Sequence, residues 1–159
     1  MVGICGVLGA DADVAPLAAD LVWADGQRSS TRDGDRVAVH ASTHPMLAAA
    51  PVRAVDDETL LWLVGDVYGF DNGTGYAPRP DGTDCVEYCA RRYRDHGVDC
   101  FAGFNGSFVA VVHDRSEATV HIATDRLGSQ AVFRARPDDG RFLFSTNVQS
   151  LPRHPAVEA

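Results

Sequence analysis

The sequence contains no lysine: its 14 cationic residues are all arginine, against 22 acidic residues, of which 18 are aspartate. The resulting net charge of -8 repels nucleic acids and anionic lipid surfaces, which argues against both as partners. Such a bias is typical of proteins from salt-loving organisms, where short carboxylates keep the surface hydrated, and acidic drift in a GC-rich genome produces it too. Both explanations concern solubility, so the charge leaves the activity open.

Long hydrophobic runs are missing as well. No apolar stretch approaches the roughly 20 residues that a transmembrane helix needs. No basic segment precedes an apolar one, as it would in a secretory signal peptide. We therefore expect a cytoplasmic protein with no membrane partner. A length of 159 residues is typical of one domain, which we place over residues 1–159.

Cysteine is scarce, with four residues at positions 5, 85, 89 and 100. They are too few and too irregularly spaced for a disulfide-stapled scaffold or a zinc site. Cys85 and Cys89 lie four apart in a predicted helix, where two small packing residues are more common than a metal or redox pair. We expect reduced thiols and no metal.

The clearest predicted helix covers residues 84–96. Asp84 followed by Glu87 is a capping-box signal, an apolar stripe runs along one side, and Gly97 ends the helix. A shorter helix is predicted from Pro16 to Trp23.

The remaining pattern predicts mainly strands and turns. A last short helix, capped by Ser145 or Thr146, is predicted to reach Leu151. Strands are predicted over residues 2–8, 36–40, 59–64, 107–112, 119–123, 131–135 and 141–144, and loops over 24–35 and 71–82. Several antiparallel strands with helices between groups of them indicate an α+β fold.

Several short blocks together resemble the glutaminase domain of asparagine synthetases. They are the opening Met1 to Gly9, the segment Val64 to Tyr68, and the later blocks 97–100, 104–108, 113–114, 123–128, 142–145 and 151–155. The resemblance spans nearly the whole chain and is weakest over residues 10–51. It implies a class II glutamine amidotransferase with the N-terminal-nucleophile hydrolase fold, a four-layer sandwich of two antiparallel sheets between helical layers.

That family hydrolyses glutamine with a cysteine placed directly after the initiator methionine, and the α-amine of the same cysteine acts as base. The matching position here is Val2, which carries no nucleophile. The family's substrate-binding arginine, which holds the glutamine carboxylate, matches Ser42. Two parts of the implied site are therefore altered.

The family's oxyanion and amine-binding motif, Asn-Gly-Glu, matches Val64, Gly65 and Asp66. Gly65 keeps the implied oxyanion amide and Asp66 the acid for the substrate's amine, but the Asn carboxamide is missing. Loss of one such donor costs about two to three orders of magnitude in rate. A second amine-binding acid is implied at Asp84, which also fits a helix N-cap.

Three altered parts together predict a degenerate glutaminase that serves as scaffold or regulatory domain for an ATP-dependent synthetase domain or protein. We expect no cofactor in this chain, and the sequence leaves homodimerisation open. An alternative is an active glutaminase in which removal of residues 1–4 exposes Cys5 as nucleophile. A third hypothesis is a sensor that binds glutamine or another small amino acid at Asp66 and Asp84.

Overall fold

The computed structural model describes residues 3–22, 27–32, 34–44 and 50–157. Within these residues the strands are β1 (Gly3–Leu8), β2 (Arg28–Arg32), β3 (Val37–Thr43), β4 (Val52–Ala54), β5 (Thr59–Asp71), β6 (Tyr76–Pro78), β7 (Phe104–Asp114), β8 (Thr119–Thr124), β9 (Phe133–Ala135) and β10 (Phe142–Ser145). The α-helices are α1 (Ala15–Ala18), α2 (Cys85–His96) and α3 (Cys100–Gly103), and 3-10 helices cover Gly97–Asp99 and Val148–Arg153.

The chain divides into two compact units. The terminal unit, Met1–Leu47 with Ala131–Ala159, contains a sheet in the order β2-β3-β1-β10-β9. The central unit, Ala48–Gln130, contains a sheet in the order β4-β5-β7-β8, with β6 also paired to β5. All of these strand pairs are antiparallel. The predicted α+β class with two antiparallel sheets is confirmed.

In the terminal unit, β1 lies between β3 and β10. Alternate residues of β1 share a face, and Cys5 and Val7 pack there with Leu17 of α1, with Leu143, and with other buried aliphatic residues. Burying one such side chain contributes about 1.5–3 kcal/mol. This apolar cluster fixes the side of the sheet on which the Cys5 thiol lies.

In the central unit, β5 pairs with β7 over almost its entire length. Leu61 and Leu63 of β5 and Phe108 of β7 belong to one core cluster, which also contains the buried side of α2. Edge-on aromatic contacts join Phe101, Phe104 and Phe108, with centroid separations of 5.8 and 5.9 Å. This paired ribbon carries the candidate residues described below.

Helix α2 forms as its sequence predicts. The Asp84 side chain accepts a hydrogen bond from Glu87 N at 2.9 Å, which satisfies one of the free N–H groups of the first turn. The Glu87 carboxylate pairs instead with Arg53 and Arg91. Val86, Tyr88, Cys89 and Ala90 are buried. None of the helices in the described ranges is long and apolar enough to cross a bilayer.

Two predicted loops contain strands. Residues 24–35 include β2, and residues 71–82 include β6. The β2 sequence is polar and lacks an apolar alternation, but it pairs in full with β3, from Arg28 opposite Thr43 to Arg32 opposite Val39. Long-range pairing therefore overrides weak local preference in both segments.

The other differences concern boundaries. The strand predicted over 59–64 continues to Asp71, and the 3-10 helix that begins at Val148 is capped by Asn147 rather than by Ser145 or Thr146. The first helix covers only Ala15–Ala18. Its predicted end at Trp23 and the predicted strand start at Val2 lie outside the described residues.

The turn after β8 depends on one buried carboxylate, that of Asp125, which is 4% exposed. Its oxygens accept hydrogen bonds from the N–H groups of Phe108, Leu127 and Ser129 and from the Ser129 hydroxyl. Burial raises the pKa of Asp125, but the hydrogen bonds from Ser129, Phe108 and Leu127 outweigh it, and the net direction is downward. The carboxylate stays ionised and holds the turn to β7.

His154, near the end of the described chain, is buried to 1% exposure. Its Nδ1 accepts a hydrogen bond from Ala156 N at 3.2 Å, and the ring also hydrogen-bonds to the backbone of Asp13. Burial lowers the pKa of His154, Arg141 lowers it further, and Asp13 and Asp139 oppose the shift. The ring is therefore neutral and joins the end of the described chain to the segment before α1.

We expect Asp125→Asn to lower the free energy of unfolding by about 2 kcal/mol, because hydrogen bonds to a charged acceptor are stronger than those to an amide. Urea unfolding followed by circular dichroism measures the change. The matched control is Asp57→Asn, at an exposed residue of the same unit. Equal stability of the two variants would contradict the role given to Asp125.

His154 predicts a loss of stability in mild acid. Its pKa is lower in the folded chain, so below about pH 6.5 the unfolded chain binds the extra proton first and unfolding becomes easier. The stability difference between the wild type and His154→Asn should therefore shrink between about pH 7 and pH 5. His44→Asn, at an exposed position, serves as control. A pH-independent difference would show that His154 does not titrate as described.

Candidate functional site

The candidate residues of the central unit lie along one edge of β5. On the edge away from β7, β4 pairs with residues 60–62 and β6 with residues 69–71. The described strands leave residues 63–68 uncovered on this edge, a stretch that we call the β5 gap. Leu63 N donates to Pro51 O at 2.9 Å, and Val67 N donates to Cys85 Sγ at 3.2 Å. The gap is thus bordered by the first turn of α2.

Gly65 lies in the middle of the β5 gap. Backbone N–H groups alternate between the two edges of a strand, so the Gly65 N–H points to the same edge as those of Leu63 and Val67. Its φ is 105°, and a Cβ would come within 2.1 Å of Ser107 O, so only glycine fits. The backbone alone requires this residue, and its role as an oxyanion amide stays a prediction.

Asp66, the next residue, already has a cationic partner. Its Oδ1 accepts a hydrogen bond from Nη2 of Arg79 at 3.0 Å. The Asp66 side chain is 42% exposed and that of Arg79 is 23% exposed. This pair is therefore shielded from water on the arginine side and open on the carboxylate side.

Asp84 and Cys85 border the same gap. The Asp84 carboxylate caps α2, as described above. Cys85 is half-buried, and its thiol also hydrogen-bonds to that of Cys89 one turn later, which together with burial raises the pKa of Cys89. All four cysteines are free thiols. Within the described ranges, no group of three or more His, Cys, Asp or Glu side chains is arranged to hold a metal ion.

Two positions that the resemblance assigns to substrate binding carry other chemistry. Val64 is fully buried and offers no hydrogen bond. Ser42, in the terminal unit, is also fully buried, and its hydroxyl donates to Leu21 O at 3.0 Å. Its neighbour His40 is buried and shares a hydrogen bond between Nδ1 and Thr31 Oγ1 at 2.7 Å. The missing amide and guanidinium are therefore not replaced at the same positions.

Cys5 lies in the terminal unit, in the middle of β1. It is opposite His40 of β3 and Ser145 of β10, and its side chain is 0% exposed. Burial raises the pKa of the Cys5 thiol to about 12, against a smaller lowering by a hydrogen bond with the His40 backbone. In the described chain the Cys5 thiol packs as an apolar side chain. Its role as a nucleophile after removal of residues 1–4 stays a prediction.

Sequence reasoning missed Arg79. It follows a proline in a segment rich in glycine, proline and aspartate, which predicts an exposed loop. The structure pairs it with Asp66, 13 residues earlier. No local periodicity predicts such a contact. The predicted loop 71–82 contains more acidic than basic residues, and this excess is the only sequence signal that Arg79 forms an ion pair.

We expect the four thiols to react unequally with iodoacetamide. Cys85 should be alkylated first, because the other three are fully buried. At mildly alkaline pH, a pKa near 12 leaves Cys5 with about a thousandfold less thiolate than an ordinary cysteine with a pKa of 9.0. Peptide mass spectrometry after timed labelling measures the order, with urea-unfolded protein as the reference. Rapid labelling of Cys5 in the folded protein would contradict this description.

Comparison with known proteins supports the assignment to a glutamine amidotransferase domain, which is the coarser part of the motif-based interpretation. The family model for the glutamine amidotransferase domain matches residues 34–159, well over half of the chain. The matched region includes Gly65, Asp66 and Asp84 and begins after Cys5. Among the curated proteins compared, none matches the chain. On this evidence the chain belongs to the glutamine amidotransferase domain family.

Proposed function

We propose that this is an asparagine-synthetase-type amidotransferase domain, of the N-terminal-nucleophile hydrolase fold, that does not hydrolyse glutamine. It acts instead as a scaffold or regulatory domain for an ATP-dependent synthetase. The observation that carries the proposal is the position of Cys5, whose thiol is buried among aliphatic side chains in the middle of a strand.

Removal of residues 1–4 would not turn Cys5 into an effective nucleophile. The cut would take Gly3 and Ile4 out of β1, with their pairing to Ser42 and Ala41 of β3. It would also remove the buried Ile4 side chain and two hydrogen bonds of the Ile4 backbone, one from Ile4 N to Thr146 Oγ1 and one from Thr146 N to Ile4 O. The thiol would still lie on the face of β1 that packs against α1. Removal of residues 1–4 would therefore lower the stability of the fold without exposing the Cys5 sulfur.

The groups that would bind glutamine are also occupied or absent. Asp66 holds Arg79, Asp84 caps α2, and Val64 supplies no donor. A carboxylate that already accepts a guanidinium hydrogen bond has less affinity for a substrate amine, because the new contact must replace the old one. These internal contacts favour a folded domain without turnover over an active glutaminase.

The scaffold hypothesis also rests on the integrity of the fold. Each sheet has a buried apolar core on one face, and the Asp125 turn is fully hydrogen-bonded. The altered residues thus remove chemistry without removing structure. A domain in that state can still present a rigid surface to a synthetase.

We expect purified full-length chain to release no ammonia from glutamine above the level of its Cys5→Ala variant. A coupled glutamate dehydrogenase assay measures ammonia, and intact mass spectrometry of the same sample defines its amino terminus. Equal, background-level rates support the proposal. Turnover that disappears in Cys5→Ala, from a species beginning at Cys5, would establish the active-glutaminase alternative instead.

The amino-acid sensor hypothesis needs a separate measurement on the same preparations. Isothermal titration calorimetry with glutamine, asparagine and glutamate at millimolar concentration should give no binding heat in the wild type, because Asp66 is already paired. Saturable heat that is lost in Asp66→Asn would favour the sensor over the scaffold.

A further inference from the structure

Strand β8 (Thr119–Thr124) forms one edge of the central sheet. In the described part of the chain it pairs with β7 over its whole length and with no strand on its other side. The register is continuous from Thr119, opposite Asp114, to Thr124, opposite Val109, and contains no bulge. Thr119 and Thr124 are exposed, and the four residues between them are half-buried. β8 therefore offers a regular and accessible strand edge.

β8 lacks the features that keep strand edges from pairing. Natural sheets protect their edges with charged side chains, proline, bulges or very short strands. The other marginal strands of the two sheets each have at least one of these: β2 begins and ends with arginine, β4 and β9 are short with a central arginine, and β6 is short and ends with proline. The β8 sequence, Thr-Val-His-Ile-Ala-Thr, contains no acid, lysine, arginine or proline. Such an edge is a template for a further strand.

The direction of the β8 backbone groups follows from the contact with β7. Asp125 N donates to Phe108 O at 3.1 Å, so the N–H of Asp125 points toward β7. Backbone groups alternate between the two edges of a strand, so the N–H and C=O groups of Val120, Ile122 and Thr124 point away from β7. Within the described ranges, no turn or loop backbone bonds to these groups. Three residues thus present both a donor and an acceptor along the outer edge.

A second copy of β8 matches these three residues in an antiparallel pair. When Ile122 lies opposite Ile122 of the second copy, Val120 lies opposite Thr124, and each strand donates and accepts at all three positions. The pair then has two-fold symmetry, which is the commonest symmetry of protein oligomers. No like charges lie opposite each other, and β-branched side chains face one another across the pair, which stabilises adjacent strands.

The turns at the two ends of β8 carry opposite charges. Glu117 precedes the strand and Arg126 follows it, and both are exposed. Neither side chain has a charged partner among the described residues, whereas Arg115 of the first turn is already paired with Glu58. An antiparallel pair brings the Glu117 turn of each copy beside the Arg126 turn of the other. This complementarity favours a second copy of the chain over a strand from a different protein.

We propose that the outer edge of β8 is a dimerisation surface, at which a second copy of this chain adds its own β8 in antiparallel orientation and extends the central sheet. The interface contains one strand from each copy, so it is small, and complexes with small interfaces are weak and transient. Dimerisation joins two amidotransferase domains and is independent of whether they hydrolyse glutamine.

Sedimentation velocity of the full chain measures the assembly. We expect mainly dimer at about 200 µM and mainly monomer at about 1 µM, because a weak interface dissociates on dilution. Ile122→Lys should stay monomeric over this range, since it places two like charges directly opposite each other. Val98→Lys, at an exposed valine of the same unit outside β8, is the matched control and should dimerise like the wild type. Circular dichroism shows whether each variant is folded.

Crosslinking tests the register. In the proposed pair the two residues at position 122 have Cα atoms about 5.5 Å apart. The two residues at position 119 are six residues apart along the pair, which is about 20 Å. A short bis-maleimide should therefore join Ile122→Cys into a covalent dimer and leave Thr119→Cys monomeric. The wild type shows the background from the half-buried Cys85.

Two results would overturn the inference. A wild type that is monomeric at the highest concentration would show that a second copy does not occupy the β8 edge. A dimer in which Ile122→Cys crosslinks no better than Thr119→Cys would place the interface elsewhere. If Ile122→Lys does not fold, the crosslinking yields decide between these outcomes, because a cysteine at position 122 introduces no charge.

Discussion

The organisation of the central unit follows from one constraint: the edge of β5 that faces away from β7 must satisfy its backbone groups without a strand beside residues 63–68. The segment from Arg79 to Cys85 meets this need at Val67 and Tyr68. Arg79 donates from its side chain to Val67 O and from its backbone to Tyr68 O, and Cys85 Sγ accepts from Val67 N. Buried backbone groups are costly when left unpaired, so this segment has to lie against β5.

That constraint also explains why the candidate residues occur together. The same stretch of chain that closes the β5 edge carries the N-cap Asp84 and the partner of Asp66. A side chain that completes the hydrogen bonding of a sheet edge is held in one position, and it cannot also adapt to a ligand. Under the proposed function, structure and ligand binding would compete for the same oxygen atoms, and the structural contacts occupy them in the described chain.

Local sequence signals predicted the parts of the fold that depend on local interactions. Helix α2 was predictable because its cap, its apolar stripe and its terminal glycine all lie within 14 residues of one another. Strand β2 was not, because its polar residues acquire a strand conformation only by pairing with β3. The sequence also did not predict that β5 continues past Gly65, because that continuation depends on long-range pairing. The strand tolerates a glycine with a φ of 105° because it is paired with β7 there.

The candidate site shows the same contrast between features that short motifs predict and features that depend on long-range contacts. The resemblance located Gly65, Asp66 and Asp84 in one region, because it rests on motifs whose order the chain retains. It gave no indication of Arg79, whose partners are 4, 12 and 13 residues away, or of the burial of Cys5, which depends on a helix and a distant strand. Contacts of this kind are set by the tertiary fold and have no signature in composition or periodicity.

A partly buried acid in the middle of a strand poses an energetic problem that Arg79 resolves. Asp66 lies inside β5, where its carboxylate is partly removed from water. Left unpaired, such a group loses hydration and gains nothing in return. An ion pair with a half-shielded guanidinium restores the lost interactions, at the cost of fixing one side chain. Asp66 is therefore more stable with an internal cation than without one, and under the proposed function the pair that stabilises the fold is the same pair that would keep a substrate amine from this acid.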